Sequence, residues 1–211
     1  VFVDRVDAGR QLAAQLTHLK GSPDLVVLGL PRGGVVVAAE VARTLDAPLD
    51  ALVVAKVRVP WQPELAMGAC AAGGIRVTND RVARRLAIDE DTLHKAWAEA
   101  EATVDIRNNE LRGGADAPDV RGKTVVLVDD GLATGATARA AVEAVRAMGA
   151  NRIVLAVPVA PRDTAEELAA MVDDVVVLMA PVRFGAVGSF YLDFSQTTDA
   201  QARALLTQGD W

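Results

Sequence analysis

Five runs of the chain, Leu25–Leu30, Leu49–Val57, Thr124–Val128, Ile153–Val157 and Val175–Met179, are apolar along most of their length rather than at alternate positions. A strand with a polar residue at every second place can face water. A strand without them must be covered on both sides, which is the usual situation of a parallel sheet. Segments with helical spacing separate the runs, at Val35–Leu45, Thr137–Met148 and Asp163–Met171. Strand, helix and strand at this separation form a βαβ unit with a right-handed crossover. The pattern predicts an α/β fold, a mainly parallel five-stranded sheet with helices on both faces.

The remaining segments dress this core. Leu12, Leu16 and Leu19 predict a helix over Asp7–Lys20, ended by Gly21. Pro60, Trp61 and Pro63 mark a loop. Ala66–Ala72 and Ile75–Val77, joined by Gly73-Gly74, predict a hairpin. Asn79 is placed to cap a helix to about Leu86, and Asp89 to start a long one reaching Leu111 with Trp97, Val104 and Ile106 on its apolar stripe. An aromatic-rich tail, Phe184–Phe194, precedes a helix near Asp199–Leu206. At 211 residues, 51% of them hydrophobic, the chain suits a single domain. Its core is expected at about 21–57 and 122–180, a small lid at about 58–78 and 181–197, and a helical insert at about 79–112.

One strand end carries most of the chemistry. Val125–Val128 is followed by Asp129 and Asp130, then by the small residues Gly131–Thr137 leading into a helix. Ligands of open α/β sheets bind outside the carboxyl ends of the strands. A small-residue loop entering a helix favours phosphate, through unpaired N–H groups and the helix dipole. Two carboxylates beside a phosphate cradle need another partner, and sugar hydroxyls with a divalent cation suit them. The run therefore asks for a phosphorylated ribose with a metal. A second glycine-bearing loop, Pro31-Arg32-Gly33-Gly34, follows the first strand and also enters a helix. The spacing of Gly131 and Gly135, without a following Lys-Ser/Thr, excludes a Walker A loop.

The run Val125–Thr137 resembles the phosphoribosyl diphosphate (PRPP) signature of the type I phosphoribosyltransferases: hydrophobic strand, two acidic residues, a small stretch, Thr-Gly-x-Thr. The resemblance implies that Asp129 and Asp130 hold the ribose hydroxyls and, through water, Mg²⁺. It implies that Ala133, Thr134, Gly135, Ala136 and Thr137 bind the 5′-phosphate. Pro31, Arg32, Gly33 and Gly34 match the pyrophosphate loop, which in that family has a non-proline cis bond, here Pro31–Arg32. Lys56 and Arg58 are candidate catalytic cations that neutralise the departing diphosphate. The stretch Pro63–Ala69 is similar to a bacterial subgroup of the family. The tail Phe184–Phe194 is similar to the hypoxanthine-guanine enzymes, which implies that Phe184 and Asp193 serve the acceptor. Two departures accompany this. Ala133 stands where that group has a carboxylate, and Val157–Pro161 lacks its purine-reading Lys.

Other chemistries find little support. A net charge of −6 argues against a non-specific nucleic-acid binder. His18 and His94, the two histidines, sit on predicted helices away from the loops. The single Cys70 lies in a small-residue run and reads as packing in a reducing compartment. No run is long enough to span a bilayer, and the first residues do not form a signal peptide. The expectation is a cytoplasmic enzyme, a homodimer, using PRPP and a small-molecule acceptor, without nucleic-acid or membrane partners. The rival reading is a PRPP- or nucleotide-binding regulatory module without turnover.

Overall fold

A computed structural model describes residues 1–207. The main sheet has five parallel strands: β1 (Leu25–Gly29), β2 (Leu49–Ala51), β6 (Thr124–Val128), β7 (Arg152–Val159) and β8 (Asp174–Met179). Their order is β2-β1-β6-β7-β8. The chain runs outward from β1 to β2 and later returns to place β6 on the other side of β1. The loops after β1 and β6 therefore meet at the reversal of strand order, where open α/β sheets bind ligands.

The apolar runs are explained by burial on both faces. Val125 and Leu127 pack with α5 (Ala136–Ala147) and α6 (Arg162–Ala169), whereas Val126 and Val128 pack with α1 (Arg5–Gln15) and α2 (Gly33–Leu45). None of these four valine and leucine side chains is exposed to solvent.

The segment expected as one strand at Leu49–Val57 is divided. Leu52 and Val53 separate β2 from β3 (Val54–Val59), which leaves the main sheet for an antiparallel one with β4 (Gln62–Ala71) and β5 (Ile75–Thr78). Apolar character is the same in both halves, so composition gives no sign of the switch. The expected loop at Pro60, Trp61 and Pro63 is instead the tip of the β3–β4 hairpin. Val59 pairs with Gln62 and Arg58 with Ala66, so Pro63-Glu64-Leu65 bulges out. Pro63 there owes no hydrogen bond to the ladder. The Gly73-Gly74 turn is as expected, with both residues at positive φ, 81° and 73°.

Helix boundaries also differ. α1 begins at Arg5, because Asp4 caps it by accepting the Asp7 N–H at 2.8 Å, and it ends at Gln15 before a short 3-10 turn. Asn79 precedes α3 (Asp80–Arg85) without a side-chain cap bond. α4 (Glu90–Arg112) is capped by Asp89 as expected and buries Trp97, Ala100 and Val104. Ile106 is off that stripe and 59% exposed, since two residues past Val104 lie on the opposite side of a helix. The small sheet is held between α5 on one face and α4 on the other. Arg112 anchors the end of α4 with two 2.8 Å bonds to Asp50. Among the described residues, no helix is long and apolar enough to cross a membrane.

The first residues form part of the fold. Phe2 pairs in parallel with Tyr191, and its N–H donates to the Phe190 carbonyl at 2.8 Å. The N–H groups of Leu192 and Asp193 return bonds to Phe2 and Val3. This clasp brings the C-terminal tail against Asp130 and Gly131, just after β6, and α7 (Asp199–Thr207) then packs with α4.

Candidate active site

Two helix entrances converge on the acidic pair. α2 starts at Gly33, directly after the cis Pro31–Arg32 bond that the family resemblance implies. A Cβ on Gly34 would lie 2.9 Å from the Asp129 Cα and 3.0 Å from its Oδ1. One on Gly33 would fall inside the Asp130 carboxylate. Glycine is therefore required at both places by close packing. Across the pair, Gly135 takes a left-handed conformation (φ 68°) to start α5, where a Cβ would meet Thr164 at 2.7 Å. The first-turn N–H groups of α5 have no carbonyl partner within the helix. Ala133, Thr134 and Thr137 around them are exposed, so the loop is open to an anion.

Asp129 and Asp130 are partly buried. The Asp129 Oδ1 accepts the Asp130 N–H at 2.8 Å. Burial, and then the neighbouring Asp130 charge, push the Asp129 carboxyl well above the usual carboxylate range. Burial also raises Asp130, against the opposing effect of Arg5.

Arg5 is the residue that the sequence reading missed. Its Nε donates to Asp130 Oδ2 at 2.7 Å, its Nη1 to the Ser195 carbonyl at 2.7 Å, and its guanidinium lies 3.9 Å from the centre of the Phe194 ring. The two side chains of the ion pair are 12% and 17% exposed. Tyr191 was also missed. Its hydroxyl donates to the backbone carbonyl of Asp130 at 2.6 Å, and burial drives the phenol well above its ordinary value. The signal for both was an aromatic-rich tail and an arginine near the start, 125 residues from its partner Asp130, a separation no local pattern bridges.

The other expected residues are distributed as follows. Arg32 makes a 3.4 Å ion pair with Asp199, at the start of α7, so the pyrophosphate loop is tied to the C-terminal helix. Phe184 stacks on Phe190, with ring centroids 5.5 Å apart, and is half-buried. Asp193 is exposed and accepts from Ser195 Oγ at 2.6 Å and Ser195 N at 2.9 Å. Those bonds hold its carboxyl below the usual range. Lys56 and Arg58 line a cavity with Thr137, and none of Pro31–Gly34 contributes to its lining. His18 and His94 are exposed on other parts of the molecule. Cys70 is buried in β4, as packing.

The fold is a doubly covered parallel sheet, with an acidic pair between two helix entrances at its switch point, the place where open α/β sheets bind ligands. The chain belongs to the phosphoribosyl transferase domain family, whose family model matches residues 4–192. It is 48% identical over 206 residues to a Mycobacterium tuberculosis protein named "Putative phosphoribosyl transferase Rv0571c". That match covers 98% of this chain and 46% of the relative, so the chain spans about half the length of the curated relatives it matches. The crystal structure of TT1426 from Thermus thermophilus is 44% identical, with a TM-score of 0.89 over 97% of both chains. The structure of AQ2163 from Aquifex aeolicus, 12% identical, shares the fold at a TM-score of 0.50 over 96% of this chain and 85% of its own.

Proposed function

We propose that the chain transfers the phosphoribosyl group of PRPP to a small acceptor and releases diphosphate. The observation that carries this is the convergence of Asp129 and Asp130 with both helix entrances at the β1–β6 switch point. In the reaction a bond forms between the acceptor and C1 of the ribose. The C1–oxygen bond breaks, and its electron pair leaves with diphosphate. No covalent enzyme intermediate is needed, so the protein's work is positioning and charge stabilisation.

The Thr134–Thr137 loop, with both threonines exposed, binds the 5′-phosphate, and Asp129 holds the ribose diol through its second oxygen. The Pro31–Gly34 loop binds diphosphate, for which Arg32 exchanges its long contact with Asp199. Lys56 and Arg58 add positive charge from the Thr137 side. Phe184 offers its ring to the acceptor, with Asp193 at the rim.

Mg²⁺ fits this arrangement. Among the described residues no cluster of three ligands could hold a metal alone. Mg²⁺ is typically bound by one or two carboxylates, with substrate phosphates and water completing its shell. Asp129 and Asp130 supply those carboxylates, and the bound ion would neutralise charge on the diphosphate.

The test is PRPP binding by calorimetry with pyrophosphate release over a panel of acceptors. The Asp129→Asn/Asp130→Asn variant should lose PRPP affinity, and an unchanged affinity would overturn the assignment. A non-catalytic PRPP sensor is the second reading, favoured by Ala133 at the place of an expected carboxylate. Tight PRPP binding without pyrophosphate release from any acceptor would select it.

A further inference from the structure

A cavity of about 770 Å³ opens between β3 and α4. Small-molecule sites typically span roughly 300–1,000 Å³. Lys56 and Arg58 line it from β3, and Lys95 and Arg107 from α4, with Glu99 as the one carboxylate. Lys95, Glu99, Thr103 and Arg107 recur at every fourth residue, so a single stripe of α4 faces the space.

Arg5, Arg76, Arg112, Arg139, Arg146 and Arg152 each have a carboxylate partner. Among the described residues, none of the four cavity cations is in an ion pair. Lys95 has no such partner although Glu99 lies one helical turn away. Lys56 and Arg58 lie two residues apart on β3, and burial, then the Arg58 charge, hold Lys56 below its ordinary range. Four cations against one carboxylate give the cleft a positive potential, which attracts a multivalent anion. Trp61, 60% exposed, adds a flat apolar face at the hairpin tip.

We infer that this cavity is a binding site for a small multivalent anion, phosphorylated or carboxylated, separate from the acidic pair and the pyrophosphate loop. Neither Asp129, Asp130 nor any of Pro31–Gly34 lines it. Of the residues assigned to PRPP above, it shares Lys56, Arg58 and, from the phosphate loop, Thr137. Thr137 is the second residue of α5, so a ligand here touches the helix whose entrance receives the 5′-phosphate. Anion binding itself does not depend on PRPP turnover, so the two readings fail separately.

The probes are inorganic pyrophosphate and citrate, each titrated without metal by calorimetry and by tryptophan fluorescence. The proteins are the full chain and its K95Q/R107Q, R32Q, E99Q and W61F variants. Lys95 and Arg107 are exposed, so their replacement leaves the core intact. The full chain should bind at least one probe with a fluorescence change that W61F abolishes. K95Q/R107Q should weaken binding by at least about tenfold, the loss of charge-assisted bonds. R32Q should leave citrate binding within about twofold, because Arg32 does not line the cavity, and E99Q should tighten it. Preference for pyrophosphate identifies a phosphate ligand, and preference for citrate a carboxylate ligand. Binding of neither anion, equal affinity in K95Q/R107Q, or loss of citrate binding in R32Q would overturn the inference.

Discussion

Replacing Arg5 by alanine removes three contacts at once: the 2.7 Å bond to Asp130, the 2.7 Å bond to the Ser195 carbonyl, and the ring contact with Phe194 at 3.9 Å. A hydrogen bond to a charged group contributes about 1.5–3 kcal/mol, and a cation–π contact about 0.5–2 kcal/mol. With 12% and 17% of the side chains exposed, water replaces little of this. These contributions are not additive, and the expected destabilisation of R5A is about 3–5 kcal/mol, the range for breaking one side of a buried pair. The assay is urea unfolding of the full chain, R5A, D130A and R5A/D130A. The cycle should give a coupling of about 1–3 kcal/mol. The pH dependence has a definite sign. Burial raises the Asp130 carboxyl and Arg5 opposes that rise, so in R5A it rises further. A raised carboxyl stabilises fully below its unfolded value, and this contribution is lost as pH rises through the folded value. The deficit of R5A should therefore be larger at neutral pH and shrink toward the ordinary carboxylate range. A coupling below about 0.5 kcal/mol, or a deficit independent of pH, would refute the reasoning.

Gly33→Ala places a Cβ inside the Asp130 carboxylate and 2.6 Å from Arg5 Nε. It should cost about 1–3 kcal/mol by overpacking and weaken PRPP binding in parallel, and a melting curve superimposable on that of the parent chain would contradict this. Cys70 is 1% exposed, and burial pushes its thiol up to about 11. The thiolate is scarce at pH 8, so native alkylation followed by mass spectrometry should show slow labelling that accelerates only on unfolding or toward strongly alkaline pH. Rapid native labelling at pH 8 would count against it. Hypoxanthine, guanine and xanthine should be poor acceptors, because Ala133 provides no carboxylate and a general base typically contributes about 100- to 10,000-fold. Steady-state assays at saturating PRPP and Mg²⁺ would refute this if kcat/KM reached about 10⁴–10⁸ M⁻¹s⁻¹ for any of the three.

What the amino-acid sequence determined by itself was local or periodic. Val125–Val128 could be recognised as a doubly buried strand because burial on both faces removes alternation, and Gly131–Thr137 as a loop entering a helix because small residues and hydroxyls follow at once. The Gly33-Gly34 pair and the Gly73-Gly74 turn were legible for the same reason: close approach or positive φ demands glycine. The tertiary structure alone decided which distant pieces meet. Val54–Val59 is as apolar as Leu49–Ala51, yet it pairs with β4, because strand partnership depends on which edge is available. Ile106 is exposed because a neighbouring element covers one stripe of α4 and not the other. Arg5 reaches Asp130, and Lys95 and Arg107 face the same cavity as Lys56, only after β1, β6 and the hairpin are assembled. A charged side chain carries no sequence mark of its partner. Coulomb attraction and desolvation depend on distance and burial, which long-range packing sets.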